Sequence, residues 1–446
     1  MPQPQASGDQ EPVRLAGING LRALAAGAVV IYHVWRFGDP DGRPADVGVL
    51  TAALPHLWHG VTLFFVLSGF LLYRPFAATA MRGTPRPSLV RYVRHRALRV
   101  LPAYWLVLLI TAFVLQTALV ADDAGPRSEG VPDLQLLVVN ALLVQNLAPD
   151  TIFTGIGPAW SLSVEAAFYA LLPLLAAVTL TLRAPGAGRH AAALAPAALL
   201  LAVGASGKIA VLTGIEWDLG VVRSIWGLAD LLAFGMLVAV VSINVEDGRR
   251  VLPRRWRGAA VACIVAVAAI GLTLEPTNLE PGAAPTLLFT TAVGAACALL
   301  IALVTLPAPG SRRRLTQLLE RPAIAGMGVI SYSVFLWHEP LLRWLRLHGL
   351  TADGSAGFAL NLALTAGVTG VVAAITYRFV EAPVLRLKDG RRRARTAAPA
   401  TLAPARTFPS AVAKATRAER PGVPRPSGAA RPVASARSRA AALGAG

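Results

Sequence analysis

The stretch GLRALAAGAVVIYH, residues 20–33, decides how this chain folds. It lies inside an apolar run, residues 17–35, that is long enough to cross a bilayer as a helix. The run nevertheless contains Arg22 and His33, although a charged arginine at the centre of a membrane costs about 2.5 to 3.5 kcal/mol. The eleven-residue step between them makes three helical turns plus about 20°. Both side chains therefore leave the helix on nearly one face, about 16 Å apart along it.

A polar stripe on a membrane helix has two explanations. The first is a cavity that the stripe lines, with both side chains used for binding or chemistry. The second is structural: Arg22 snorkels to the near interface, and a neighbouring backbone carbonyl caps His33. Motifs elsewhere in the chain distinguish these two explanations.

The composition extends the membrane interpretation to the whole chain. Apolar residues make up 55% of the 446, against about 45–50% in soluble domains, and the mean hydropathy is +0.56. Many runs of about 20 apolar residues are typical of membrane-spanning helices, and they lack the period-two alternation of a membrane β-barrel. We therefore predict an all-α polytopic membrane bundle of about ten transmembrane helices and one short re-entrant or interfacial helix.

Loop charge predicts how these helices cross. The loop after the second run is rich in arginine, which places it in the cytoplasm by the positive-inside rule. The run 134–148 has only about 15 residues, short for a crossing, and counting it as a span would invert every later loop against its charge. We predict a multi-pass protein of the plasma (inner) membrane with both termini in the cytoplasm. The predicted spans are 17–35, 57–77, 98–120, 158–181, 192–213, 220–243, 257–274, 284–306, 324–346 and 357–380.

The net charge of +18 comes largely from the C-terminal tail. From Arg391 onward the chain has 12 Arg or Lys residues and one acid, Glu419. The tail is rich in Ala, Pro and Arg without apolar periodicity, which predicts disorder and contact with lipid or water, not with nucleic acid. The chain then divides into a short cytoplasmic tail (1–16), a membrane domain (17–388) and a disordered basic cytoplasmic tail (389–446).

The predicted topology places the polar side chains of the membrane domain at two levels. Arg22 lies toward the cytoplasm, beside the loop arginines Arg94, Arg96 and Arg99, and guanidinium forks suit the oxygens of a polyphosphate. His33 lies near the outer end, where a histidine and a carboxylate at one level are the minimum for general-base chemistry on an alcohol. We therefore predict an anionic cosubstrate that enters from the cytoplasm and a reactive histidine near the outer side. Further candidate residues, from three motifs in the outer half, are Ser68, Trp160, Ser163, Glu165, Tyr332, His338 and Glu339.

Structural alternatives exist for many of these residues. The loop arginines are typical topology determinants, and the aromatic residues suit an interfacial belt. Asp230, inside the sixth span, would pair with Arg223 or a tryptophan indole. The histidines and the two cysteines, Cys263 and Cys297, lack the close spacing of metal ligands, so no metal site is predicted.

Taken together, the motifs resemble those of the acyltransferase-3 family of integral membrane O-acyltransferases, over roughly residues 15–388. Members of this family acylate bacterial surface polysaccharides, peptidoglycan, lipids and some macrolide antibiotics. Each motif alone is weak, but six in the right order and topology are specific. They are GLRALAAGAVVIYH, with ten residues between the arginine and the histidine, GVTLFFVLSGFLLYRPF, RHRALRVLPAYW, PAWSLSVEAAFY, SYSVFLWHEP and RFVEAP.

The resemblance implies an O-acyltransferase with acyl-CoA as cosubstrate, no bound cofactor, and acetyl as the usual acyl group. It implies that His33 is the essential catalytic residue, that Arg22 is a required partner, and that Glu165 is a further site residue. The acceptor would be a hydroxyl of a carbohydrate, a cell-envelope glycan, a lipid or a macrolide-type compound.

The chain departs from the family in its basic motif and at its C-terminus. The basic motif usually begins with two adjacent arginines, but here His95 precedes Arg96. The resemblance therefore carries Arg96 and Arg99 over to the phosphates of acyl-CoA, and Arg94 would replace the missing guanidinium. Many members end in an extracytoplasmic hydrolase-like domain, whereas we expect only the disordered tail here.

Two other functions fit parts of the sequence. A secondary transporter or exporter also has about ten crossings and buried charges. A membrane scaffold organised by the basic tail explains none of the intramembrane polar groups. Release of the CoA thiol in the presence of an acceptor separates the enzyme from the carrier.

Overall fold

The computed structural model describes residues 15–120, 128–181, 188–215, 218–274, 282–306 and 314–386. Helices dominate these residues, as the composition predicts, and a single pair of short strands accompanies them. The helices are α1 (Ile18–Phe37), α2 (Gly60–Arg82), α3 (Leu89–Leu109), α4 (Leu134–Ala141), α5 (Trp160–Thr181), α6 (Gly188–Leu212), α7 (Asp218–Val222), α8 (Ile225–Glu246), α9 (Trp256–Thr273), α10 (Ala284–Thr305), α11 (Arg314–Leu319), α12 (Pro322–Leu347) and α13 (Gly354–Thr376), and the strands are β1 (Ala118–Val120) and β2 (Ser128–Gly130).

The fold is that of a polytopic helical membrane protein. Within the described residues, nine helices are long and apolar enough to cross a membrane, and each matches one of the ten predicted spans. The tenth predicted span, 324–346, is α12, a continuous helix of 26 residues that carries several charged side chains. At about 1.5 Å per residue, α12 is also long enough to cross.

The structure corrects the third predicted span, 98–120, at both ends. The helix already begins at Leu89, where the hydroxyl of Ser88 caps it by accepting a hydrogen bond from a backbone N–H. Arginines in the first turns of α3 lower the mean hydropathy there, so the sequence does not identify this part as a span. After a π-helical turn the helix ends at Gln116, whose φ is 54°, and the chain enters β1. The antiparallel pair of β1 and β2 is an exception to the all-α prediction. Each strand has three residues, too few to be recognised from the sequence, and the apolar β1 was counted as the end of the third span.

The run 134–148 does not form a spanning helix. Its helix, α4, has eight residues, which is about 12 Å against the roughly 30 Å of a hydrocarbon core. The buried Tyr104 hydroxyl donates to the Asn140 carbonyl at 2.8 Å, and the Asn140 side chain donates to Thr154 at 2.9 Å. Irregular backbone at membrane depth requires such internal partners. This agrees with the predicted re-entrant or interfacial segment.

Two close helix pairs position the polar groups. A Cβ added at Gly328 of α12 would lie 1.8 Å from the Asn19 carbonyl of α1, and one at Gly235 of α8 would lie 2.0 Å from the Val66 carbonyl of α2. Only glycine allows these backbones to approach so closely. Because α1 and α12 lie side by side, the two helices that carry His33 and the SYSVFLWHEP motif face each other.

The buried acid of α8 has a partner that the sequence analysis did not name. Asp230 forms an ion pair with Lys208 of α6, and Thr291 of α10 donates to the same carboxylate oxygen at 3.0 Å. The expectation that Asp230 pairs with Arg223 or with an indole is therefore wrong. The ion pair stabilises the contact of three helices within the membrane domain, as intramembrane charges usually require a partner.

The predicted orientation is tested with cysteines at exposed positions. On a background without Cys263 and Cys297, Thr213→Cys should react with an impermeant thiol reagent in intact cells, because its loop is predicted to lie outside. Val251→Cys, which is 93% exposed in a loop predicted to be cytoplasmic, should react only after lysis. The opposite pattern would mean that 134–148 crosses the membrane.

Several predicted segments lie outside the described residues. These are most of the N-terminal tail, the acidic parts of two predicted outer loops and the basic C-terminal tail. The corresponding residues are 1–14, 121–127, 275–281 and 387–446.

Candidate active site

Three arginines meet in a cavity of about 300 Å³ among α1, α2, α3, α5 and α12. Arg22 reaches it from α1, and Arg96 and Arg99 reach it from α3, where their spacing of three residues places them on one face. Arg22 and Arg99 lie close enough for their charges to repel. Because guanidinium groups bind phosphate and carboxylate oxygens in a fork, the cavity is suited to an anion.

Carboxylates balance part of this charge. Glu165 of α5 accepts a hydrogen bond from Ser68 at 2.5 Å and another from the Tyr169 hydroxyl at 2.7 Å. Glu381, buried near the end of α13, accepts a hydrogen bond from a serine of α12 and interacts electrostatically with Arg22. Two carboxylates beside three guanidinium groups leave an excess of positive charge.

A second cavity, of about 440 Å³, adjoins the first between α2 and α3. The two cavities share Arg96 and two leucines of α2 as lining residues. The second is also lined by Arg86, Arg91 and His95, which belong to the basic segment predicted to be cytoplasmic. The basic groups thus extend from the start of α3 into the helical bundle.

Arg94 lies away from both cavities. Its side chain is exposed, and it does not line either of them. At 100° per residue, Arg91, His95 and Arg99 fall within about 80° of one another, whereas Arg94 lies about 140° from Arg99. Arg91, and not Arg94, therefore lines a cavity in this part of α3.

At the other end of α1, His33 meets His338 of α12. Nε2 of His338 lies 3.3 Å from Nδ1 of His33, and the ring centroids are 4.8 Å apart. Nδ1 of His33 is also 2.9 Å from the Val29 carbonyl, and Nδ1 of His338 is 2.7 Å from the Phe335 carbonyl. Because carbonyl oxygens only accept hydrogen bonds, Nδ1 carries the proton in each neutral ring.

This arrangement leaves one nitrogen of the pair available for chemistry. His33 shares its Nδ1 proton between Val29 and His338, so Nε2 of the neutral His33 ring keeps its lone pair. The carbonyl cap of the structural explanation is thus present, and it orients the ring. A histidine held in one tautomer by its other nitrogen is suited to act as a general base.

Glu339, which the sequence analysis placed beside the reactive histidine, pairs with Arg343 one turn further along α12. Nε and Nη2 of Arg343 lie 3.1 and 2.7 Å from the Glu339 carboxylate. Arg343 and Arg346 also bind Glu129 of β2, at 3.0 and 2.6 Å. A Cβ added at Gly157 would lie 2.5 Å from the Glu339 carboxylate. This network fastens β2 and the loop before α5 to α12, while backbone carbonyls orient the histidines.

Trp160 and Ser163, from the motif that opens α5, line neither cavity. The Trp160 ring centroid lies 4.5 Å from Cζ of Arg223, and Trp58 approaches the same guanidinium at 5.4 Å. Ser163 is buried, and its hydroxyl has no hydrogen-bond partner among the described residues. Ser161 lines the arginine cavity instead. The motif therefore contributes Ser161, Leu162 and Glu165 to the cavity.

The structure adds polar side chains that sequence reasoning missed. Tyr169 follows Glu165 by four residues, and this helical spacing is the signal that could have found it. Glu381 lies in the RFVEAP motif, one of the six motifs that carry the family resemblance. Ser68, Glu165 and Tyr332 were predicted in the outer half, apart from the arginines, but all three line the arginine cavity. Tyr332 also donates to the Val100 carbonyl at 2.9 Å.

The described residues contain no group of three His, Cys, Asp or Glu side chains that could hold a metal ion. His59, which precedes α2, contacts Thr62 at 3.2 Å and stacks on Trp58.

The geometry defines a class of polytopic membrane protein. One helix, α1, connects an arginine-lined cavity to a pair of oriented histidines. The sequence matches the acyltransferase-domain family over residues 15–378. The chain therefore belongs to the acyltransferase-3 family and is a membrane acyltransferase. No solved structure matches it significantly.

Three curated relatives illustrate the range of the family. Acyltransferase MdmB of Streptomyces mycarofaciens is 29% identical, and the alignment covers 86% of this chain and 95% of that protein. Exopolysaccharide production protein ExoZ of Rhizobium meliloti is 25% identical over 75% of this chain and 91% of its own. Peptidoglycan O-acetyltransferase OatA of Listeria monocytogenes is 23% identical over 82% of this chain and 55% of its own.

Proposed function

We propose that this protein is an acyl-CoA-dependent O-acyltransferase of the plasma membrane. It transfers an acyl group, acetyl by default, to a hydroxyl of a carbohydrate, a cell-envelope glycan, a lipid or a macrolide-type acceptor. The observation that carries the proposal is that α1 presents Arg22 to an anion-binding cavity at one end and His33, with a free lone pair, at the other. The names of the relatives, which include an exopolysaccharide protein and a peptidoglycan O-acetyltransferase, support the choice of acceptors.

The basic cavities suit the donor. The phosphates of CoA would lie against Arg86, Arg91 and Arg96, where the second cavity opens beside the segment predicted to be cytoplasmic. The pantetheine arm would continue past Arg22 toward the histidines. Arg22 and His33 are about 16 Å apart along α1, which suits a long, thin linker between a charged nucleotide and a reactive thioester.

The transfer step follows from the tautomer of the histidine pair. Nε2 of His33 removes the proton from the acceptor hydroxyl as its oxygen attacks the thioester carbonyl. The C–S bond breaks, and the CoA thiolate takes that proton back from His33. His338 and the Val29 carbonyl hold the ring throughout, and the His338 lone pair stabilises the imidazolium by accepting from Nδ1–H.

Glu165 serves as a positioning residue in this proposal. It lies at the level of the arginines, where it holds Ser68 and Tyr169 and opposes the charge of Arg22. Removing it would disturb the donor site more than the proton transfer.

Donor binding is expected to depend on one face of α3. Arg96→Ala and Arg22→Ala should each weaken acetyl-CoA binding about 10- to 100-fold, because a charge-assisted hydrogen bond contributes about 1.5–3 kcal/mol. Arg22→Lys should restore little, since an ammonium does not form a fork. Arg94→Ala, on the exposed face of α3, is the matched control, and this variant should bind acetyl-CoA normally. Titration calorimetry of purified protein measures these affinities, and equal losses in all three alanine variants would contradict the assignment.

A secondary transporter remains the competing function, and transfer chemistry separates the two. Membranes that contain the protein should release CoA thiol from acetyl-CoA only when the acceptor is present. Mass spectrometry of the envelope and of secreted metabolites, with and without the gene, identifies the acylated product. Movement of a solute without thiol release would favour the carrier.

A further inference from the structure

The arginine cavity ends before it reaches the histidines. Phe64 of α2 and Phe335 of α12 line it, whereas neither His33 nor His338 is among the described residues that do. The two phenyl rings meet edge to face, with centroids 6.1 Å apart and an interplanar angle of 70°. The Phe335 ring also lies 5.8 Å from the His338 ring, one turn further along α12. The aromatic pair therefore stands between the cavity and the reactive end of α1.

The same boundary appears along α1 itself. Between Arg22 and His33, Ala26 and Val30 are buried in an apolar cluster, and Phe64 packs against it. The spacing of four residues from Arg22 to Ala26 and again to Val30 places both on the face that carries the polar ends. The stripe is therefore polar at each end and closed by hydrocarbon in the middle.

We infer that Phe64 and Phe335 form a constriction through which the acyl group must pass, and that they set the length of acyl chain the enzyme accepts. The inference rests on the proposed function, because it takes a thioester carried on a thin arm from the arginine cavity to His33. An acetyl group needs the smallest displacement of the two rings. Each further methylene needs more room in a packed interior, which resists expansion.

The inference predicts a change in acyl preference. One misplaced methylene in a tight pocket typically costs tenfold or more in rate, so the unaltered protein should use acetyl-CoA at least about 10²-fold better than butyryl-CoA. Phe335→Ala and Phe64→Ala each remove a phenyl ring and should reduce this ratio to about tenfold or less. Leu71→Ala is the matched control, because Leu71 lines both cavities away from the constriction, and it should leave the ratio unchanged.

The experiment does not require a known acceptor. Inverted membrane vesicles that contain each variant receive labelled acetyl-, butyryl- or hexanoyl-CoA, and the label that mild alkali releases from the membranes measures ester formation. An unchanged chain-length ratio in both phenylalanine variants would overturn the inference. If the unaltered protein incorporates none of the acyl groups, even when the secreted metabolites of the cells are added as acceptors and extracted with the membranes, the proposed function fails instead.

A second measurement is independent of catalysis and of the acceptor. On a background without Cys263 and Cys297, the variant His33→Cys carries a thiol just beyond the aromatic pair. A negatively charged methanethiosulfonate added to the cytoplasmic side should modify this thiol at least about tenfold faster when Phe335→Ala is also present, whereas Leu71→Ala should have no effect. Equal labelling rates with and without Phe335→Ala would show that the rings do not close the path, whatever the enzyme transfers.

Discussion

Replacing His33 with alanine is expected to abolish acyl transfer while leaving acetyl-CoA binding largely intact. A general base contributes about 10² to 10⁴ in rate, and more where the nucleophile must be deprotonated. The donor should still bind, because the arginine cavity lies at the other end of α1 and contains no atom of His33. Incorporation of labelled acetyl groups by membrane vesicles measures the first quantity, and calorimetry measures the second.

Two controls separate a catalytic loss from misfolding. His348→Ala removes an exposed histidine that stacks on Trp344 at the end of α12, and it should retain full activity. The amount of His33→Ala protein in the membrane should equal that of the unaltered protein. If His33→Ala accumulates normally and transfers acetyl at the normal rate, the catalytic assignment is wrong and the histidine serves only the structure.

The largest loss of stability is expected from Arg343→Met. This side chain is 9% exposed and joins Glu339 of α12 to Glu129 of β2. Removing one partner of a buried ion pair costs about 3–5 kcal/mol, because the remaining charge is left buried without compensation. The apparent melting temperature in detergent should fall sharply, and the yield of folded protein should fall with it.

The double variant Glu339→Gln with Arg343→Met tests whether the uncompensated charge causes the loss of stability. Neutralising both members of the pair removes the uncompensated charge, so much of the lost stability should return. Arg43→Met is the matched control, because Arg43 forms an exposed ion pair with Asp41 and exposed pairs contribute about 0–1 kcal/mol. A double variant that melts no higher than Arg343→Met would exclude the proposed coupling.

The same variants decide what Glu339 does for catalysis. In the structure it binds an arginine, and its neighbour His338 is oriented by the carbonyls of Val334 and Phe335. Glu339→Gln should therefore lower stability more than the rate of transfer per folded molecule. A folded Glu339→Gln protein that lost transfer completely would restore the direct catalytic role that the sequence suggested.

The sequence by itself determined the fold class and most helices, because both follow from local properties of the chain. Runs of about twenty apolar residues can only be satisfied as helices in a membrane, where every backbone group needs an internal partner. The same reasoning excluded a crossing at 134–148. This reasoning missed the start of α3, because a segment rich in arginine is not recognised as apolar even when the helix continues through it.

The sequence also determined which polar residues share a helix face, since that depends only on 100° per residue. Arg22 with His33 was found in this way, whereas Arg96 and Arg99 were predicted from the basic loop and from the family motif. Arg94 was grouped with them by its place in the loop and as a substitute for the missing guanidinium of the motif, although it lies about 140° from Arg99 around α3.

Only the tertiary structure decided which polar groups meet, because those contacts join residues hundreds of positions apart. His33 reaches His338 across 305 positions, and Arg343 reaches Glu129 across 214. The sequence predicted Arg22 and His33 as two ends of one stripe, but it could not show that Phe64 and Phe335 close the space between them. That closure depends on how α2 and α12 pack against α1, which is set by the shapes of side chains from three separate helices.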